Sequence, residues 1–406
     1  MMIETYIHPF PISKLPSEEA TLAGFEMLPI DIVADIQIND AALDLLPKEF
    51  KYLGSSDYFT KNIRMSVPDG ESADHVLTPN NFGRTIPLAC GVIPFGSSET
   101  GWHLGRILTG KGSFVAGNSI RRMLDQGITP IGDVHLGLLS VQGARDDMVI
   151  ANAMLTNGFR SALHLGYAIL DDTRLKTWLG SRWIEDNHRD ILDNSFTRVK
   201  ENGGSAYLIR LGGSLERMDY GDIPTRAKSR RLYTEIKQSS RLMALECSYP
   251  KSHLRRITSA LRKPDVALTA LRKISEGIYL TPSECNGYID FLSVLIGKNA
   301  SALHAAEKSL GYRLSGKHIS EAKDLDLTLF SYDYDSSKES GAMRFVSDEE
   351  NIQGYLYETT SVIDTFVSEL ITPNFLYPAG YGYGAITEIC KDIPGRITKF
   401  YNVFSP

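Results

Sequence analysis

Trp102-His-Leu-Gly-Arg-Ile-Leu-Thr-Gly-Lys111-Gly-Ser-Phe114 is the stretch that decides how this chain is read. Its apolar run predicts a strand, and the strand ends on a lysine held between two glycines. After an irregular segment comes Val141-Gln-Gly-Ala-Arg145-Asp-Asp147-Met-Val-Ile-Ala-Asn-Ala-Met154. Met148, Ala151 and Leu155 share a helical stripe, which predicts a helix from Asp146 to Gly158 with acids in its first turn. Gly158 would stop it.

Outward from this core, Arg84-Thr-Ile-Pro-Leu-Ala-Cys-Gly-Val-Ile predicts a partner strand. Phe95 to Gly101 would form the turn, and Trp102 to Leu108 the return strand. Residues 1–78 read as a peripheral extension, because Pro9, Pro11 and Pro16 oppose early regular structure. Within it, Ile30 to Ile38 alternates enough to predict a strand. Residues 117–140 read as an insertion, and Ser161 to Leu170 as a buried strand. Residues 174–202 are polar and helical. They contain His188-Arg189-Asp190, but Ser195 stands where a catalytic loop needs asparagine, and no Asp-Phe-Gly follows. A solvated helix is therefore expected there.

Ser205-Ala-Tyr-Leu-Ile-Arg210-Leu predicts a further strand, and Arg210 and Arg217 flank its glycine turn. Such a fork suits phosphate oxygens, and ordinary surface arginines are the alternative. From Pro224 the pattern turns helical, over 226–248, 252–263, 265–276, 281–297 and 300–311. Leu325 to Phe330 predicts a strand that leads into a turn at Asp333. That aspartate is either a metal ligand or a turn former. Residues 358–371 predict an amphipathic helix, and the chain from Tyr377 reads as a tail.

The chain has 406 residues, 42% of them hydrophobic and 23% charged. That length allows two or three domains, each with its own core. No apolar run approaches the roughly 18 residues of a membrane span, and the first residues lack the pattern of a signal peptide. Cys90, Cys247, Cys285 and Cys390 are far apart, so neither a zinc site nor a disulfide framework is indicated. A reducing cytoplasm fits this usage, with a secreted effector as the alternative. The net charge is −6, yet Arg226 to Lys273 carries 13 Lys and Arg against 3 acids. This block suits an anionic ligand, or it is a solvated helical face whose charges answer acids elsewhere.

Taken in order, these landmarks resemble the selenoprotein O family of kinase-like protein AMPylases. The matching residues are Lys111-Gly112, Gly143-Ala-Arg145 before Ala153-Met154, and the Arg210, Ser214 and Arg217 spacing. Leu310-Gly311-Tyr312 and Asp333-Tyr334 complete the series, so the resemblance spans roughly residues 84–340. It implies an α+β, protein-kinase-like two-lobed fold. Residues 1–78 would be an N-terminal extension, 79–225 a β-rich N-lobe with insertions, 226–376 a helical C-lobe and 377–406 a C-terminal tail. It also implies ATP and Mg2+ as cofactors, with AMP transferred to a protein hydroxyl. Lys111 would hold phosphates and pair with Asp147. Arg145, Arg210 and Arg217 would neutralise phosphate charge, and Asp333 would hold the metal. The family's Asn-Thr-Asp-Asn segment is replaced here by Lys317-His-Ile-Ser-Glu-Ala, and the histidine of its Ser-His pair is Leu215. Glu321 or Asp324 would then supply the second metal ligand, since magnesium accepts carboxylate oxygens.

Three functions follow as expectations. The first is an ATP-dependent transferase of AMP or phosphate, acting on a protein or small-molecule acceptor. The second is a catalytically inactive binding or scaffold protein on the same fold. The third is a biosynthetic enzyme that holds an anionic substrate on the 226–273 block, with RNA binding as a weaker form of that idea.

Overall fold

The computed structural model describes residues 13–14, 25–68, 85–97, 101–113, 137–159, 161–182, 189–212, 269, 273, 281–310 and 393–404. These form a mixed α+β arrangement built on an antiparallel sheet. Its first elements are β1 (Ser13–Lys14), β2 (Phe25–Pro29) and β3 (Val33–Ile38). They are followed by α1 (Asp40–Asp44), a 3-10 segment (Lys48–Gly54), α2 (Ser56–Asn62) and β4 (Arg64–Pro68). Next come β5 (Thr85–Ser97), β6 (Gly101–Lys111), β7 (Leu139–Ser140), α3 (Val141–Thr156) and β8 (Leu163–Leu170). The remaining elements are α4 (Asp172–Arg182), α5 (Arg189–Glu201), β9 (Ser205–Gly212), α6 (Pro282–Leu310) and α7 (Ile393–Phe404). None of the described helices is long and apolar enough to cross a membrane.

The main sheet has the order β1-β5-β6-β9-β8-β3, with β7 also on β9. The predicted hairpin is present. Its second strand runs to Lys111, as the stretch from Trp102 predicts, and Thr85 faces Lys111 in register. Central β9 is buried along its whole length. It pairs with β6 on one side and β8 on the other, and the one charged residue in its buried run is Arg210.

Among the described residues, 25–68 of the N-terminal region are not peripheral. β3 forms the edge of the main sheet by pairing with β8. Ala42, Leu46, Phe50, Leu53, Phe59 and Ile63 join the large core beneath β8 and β9. The prolines at 9, 11 and 16 carried the opposite expectation, but the packing is set by the apolar residues after them.

α3 also starts earlier than its apolar stripe suggested. Ser140 is the N-cap, and its hydroxyl accepts from the Gly143 amide at 3.0 Å. The first turn therefore contains no acid, and Asp146 and Asp147 fall in the second. Gly143 lies inside the helix, where it is buried and tolerated at a cost of about 1 kcal/mol. Likewise, 281–297 and 300–311 are one helix of 29 residues, α6. α7 occupies part of the expected tail; Pro394 sits near its start, where a missing N–H costs little. Arg396 on α7 donates to Asp290 and Asn286 on α6 at 3.1 and 3.0 Å. At the start of α6, burial alone would raise the Glu284 carboxyl. Hydrogen bonds from Lys273 and from the Thr281 amide instead hold it below its ordinary value.

On the core face of the sheet, the Tyr207 ring lies over Gly110, where any Cβ would overlap the phenol. Burial pushes the Tyr207 hydroxyl well up. The hydroxyl faces the Arg64 backbone but makes no hydrogen bond of good geometry among the described residues. Deleting an unsatisfied buried hydroxyl removes a desolvation penalty without losing a bond. Tyr207→Phe is therefore expected to keep or raise stability, whereas Gly110→Ala should lower it sharply. Denaturant melts of the two variants check both expectations.

Candidate functional site

Residues facing each other across an antiparallel ladder share a sheet face. Thr109 faces Arg210, Lys111 faces Leu208, and Leu208 also faces Tyr167. These side chains therefore point to one side, and α3 covers that side. Leu139, Ala144, Tyr167, Ala206 and Leu208 form its apolar floor, with Val141, Met148 and Ile169 packed against them. A cation placed at the end of β6 must then meet whatever α3 directs downward.

It meets Asp147. The Lys111 Nζ donates to Asp147 Oδ2 at 2.7 Å, with side-chain exposures of 1% and 0%. Burying two charges in this way costs several kcal/mol per ion and is tolerated only with good geometry. The position of the lysine is fixed by the turn that follows it. Gly112 has φ +96°, and a Cβ there would run into the Ala206 carbonyl oxygen. Asp146, next to Asp147 in sequence, is also buried and accepts from Gln142 Nε2 at 2.9 Å.

Arg210 lies on the same face, displaced by two residues along β9 from the partner of Lys111. That diagonal separates the backbones by roughly 7–8 Å. The arginine is 3% exposed. Its Nη2 donates to Thr85 Oγ1 at 3.0 Å and its Nε to Thr109 Oγ1 at 3.4 Å. The Thr109 hydroxyl in turn donates to the Arg210 carbonyl at 3.4 Å. Buried Lys111 and Arg210 thus share the sheet face that α3 covers, with the buried carboxylates of Asp146 and Asp147 on that helix. Thr85 and Thr109 were not singled out in the sequence, although Thr109 alternates with Lys111 on one strand face.

The other candidates are placed differently. Arg145 is exposed on the outside of α3 and does not join the buried cluster. Burial raises the Tyr167 hydroxyl above its ordinary value, and the charge of Arg145 opposes that rise. Arg217, Asp333, Glu321 and Asp324 lie outside the described residues, as does most of the basic 226–273 block. Asp190 of the rejected triplet lies in the first turn of α5. Among the described residues, no group of three or more His, Cys, Asp or Glu is placed to hold a metal ion.

No family model and no curated protein matches this chain.

Proposed function

We propose that this protein is an ATP-dependent transferase of kinase-like fold, moving AMP or a phosphoryl group to a hydroxyl of a protein or small-molecule acceptor. The observation that carries the proposal is the buried pair of Lys111 on a strand and Asp147 on the helix packed over it. Protein kinases hold nucleotide phosphates with a strand lysine that pairs with a helix acid. In this reading β5, β6, α3, β8 and β9 belong to the β-rich lobe, and α6 and α7 to a helical one. Lys111 would hold phosphate oxygens, oriented by Asp147, and Arg210 would offset their remaining charge. The acceptor oxygen forms a bond to phosphorus, with pyrophosphate leaving for AMP transfer or ADP leaving for phosphoryl transfer. Bound magnesium would supply charge neutralisation. The resemblance assigns Asp333 to it, and Glu321 or Asp324 would stand in for the missing second ligand.

Two observations favour a second reading, a nucleotide-binding scaffold without transfer. The Lys111 amine is almost completely covered, and the family's Asn-containing segment is replaced at 317–322. Two measurements on the full chain separate these readings. A ligand at 100 times its dissociation constant stabilises the native state by about 2.7 kcal/mol. ATP with magnesium is expected to raise the melting temperature, and labelled ATP is expected to transfer label to an acceptor. A thermal shift without transfer would leave only the scaffold. No shift at millimolar nucleotide would overturn both.

A further inference from the structure

The helix that carries Asp147 is tied down by a residue far away in sequence. Asn39 caps α1, where its Oδ1 accepts from the Ala42 amide at 3.4 Å. The same carboxamide forms a reciprocal pair with Asn152 on α3. Asn39 Nδ2 donates to Asn152 Oδ1, and Asn152 Nδ2 donates to Asn39 Oδ1, each at 2.9 Å. Asn39 Nδ2 also donates to the His164 carbonyl at 2.6 Å. The side chain therefore uses both donors and both acceptor sites. Its backbone amide is committed as well, to the Leu165 carbonyl at 3.0 Å. Asn39 is 4% exposed, and a fully satisfied buried network of this kind fixes one arrangement of the elements it joins.

The strand end of the clamp is placed to matter. β8 breaks register between His164 and Gly166, and His164 faces Arg210 across the ladder. Asn39 occupies the carbonyl at that break. It thereby links the strand beside Arg210 to the helix that holds Asp147.

α3 is also held at its start. There the Val141 amide donates to the Gly204 carbonyl at 2.9 Å and the Gln142 amide to the Asn202 carbonyl at 3.0 Å. Asp147 lies between this anchor and Asn152. Asn152 is five residues further on, about 7.5 Å along the helix axis. With the clamp released, the helix keeps its starting anchor and can tilt about it, lifting the carboxylate from the lysine.

We infer that Asn39 and Asn152 are positioning residues, through which the N-terminal segment holds α3 against the sheet and sets the Lys111–Asp147 pair. The functional meaning of this clamp rests on the proposed nucleotide site. The clamp itself is tested without nucleotide.

The full chain is treated with a small amine-acylating reagent well below its melting temperature, and acylation of Lys111 is followed by peptide mass spectrometry. Exposed Lys61 serves as the internal reference. Asn39→Ser keeps a helix-capping oxygen but loses the bonds to Asn152 and to the His164 carbonyl. Asn152→Ala loses only the helix end of the clamp. Both variants are expected to acylate Lys111 about tenfold faster than the parent, since each loses buried hydrogen bonds. Amide exchange at Gly110 and Leu208, in the β6–β9 ladder, is expected to stay slow. Parental acylation rates in both variants would overturn the inference. So would loss of ladder protection in step with acylation, because the role would then be global stability. Failure here leaves the nucleotide proposal standing, and failure of ATP binding with a working clamp leaves the clamp standing.

Discussion

Lys111→Met is expected to lose about 3–5 kcal/mol of folding stability, the usual cost of removing one partner from a buried ion pair. The loss comes mainly from Asp147, which is fully buried and loses the hydrogen bond from the lysine. Asp147→Leu should cost a similar amount, by stranding the lysine. The double variant, Lys111→Met with Asp147→Leu, is expected to regain most of the stability, because well-packed apolar residues of similar size replace such pairs at little net cost. Urea midpoints of the four proteins form a double-mutant cycle, and additive losses would show that the two charges do not interact. The cycle also determines how activity must be tested. A single replacement at Lys111 confounds lost chemistry with lost stability. The double variant is expected to fold and to transfer nothing.

Gly112→Ala is the second substitution with a large expected effect. At φ +96° an L side chain is strained, at a cost on the order of 1–3 kcal/mol. The added methyl also meets a backbone oxygen, that of Ala206, and a backbone atom cannot swing aside as a flexible side chain can. Because Ala206 and Leu208 line the floor under α3, the strain should spread from the turn into the site. The expected result is a lowered denaturation midpoint together with faster acylation of Lys111. Unchanged values for both would show that the turn after Lys111 does not need glycine.

The two elements that carry the central pair were legible because their signals are local, whereas the pairing of Lys111 with Asp147 was expected only from the family resemblance. A lysine between two glycines ends a strand, and an apolar stripe marks the next helix. Arg210 was legible as part of a strand, but the reading left a phosphate fork and ordinary surface arginines open, and Arg210 is a buried guanidinium held by threonine hydroxyls on adjacent β6 and on β5 beyond it. Those threonines carry no sequence signal, since their role depends on the register that brings 85, 109 and 210 together. The start of α3 was missed because the acids and the apolar stripe point to a first turn at Asp146, whereas the Ser140 cap starts it at Val141. Gly297 and Asn299 divided α6 in the sequence, yet packing carries the helix through both. Pairing of β3 with β8 joins segments more than a hundred residues apart, and no local pattern encodes such a contact. The Asn39 cap was visible in principle, since asparagine before Asp40-Ala-Ala is a helix-start signal. Its second task, across to Asn152 and His164, was not.

The most direct test of the nucleotide site is affinity labelling with an ATP carrying a reactive acyl phosphate, which acylates lysines that touch the phosphates. The expected result on the full chain is modification at Lys111, suppressed by excess ATP with magnesium and absent from the Lys111→Met, Asp147→Leu protein. Labelling that spares Lys111, or that excess ATP does not suppress, would contradict the account.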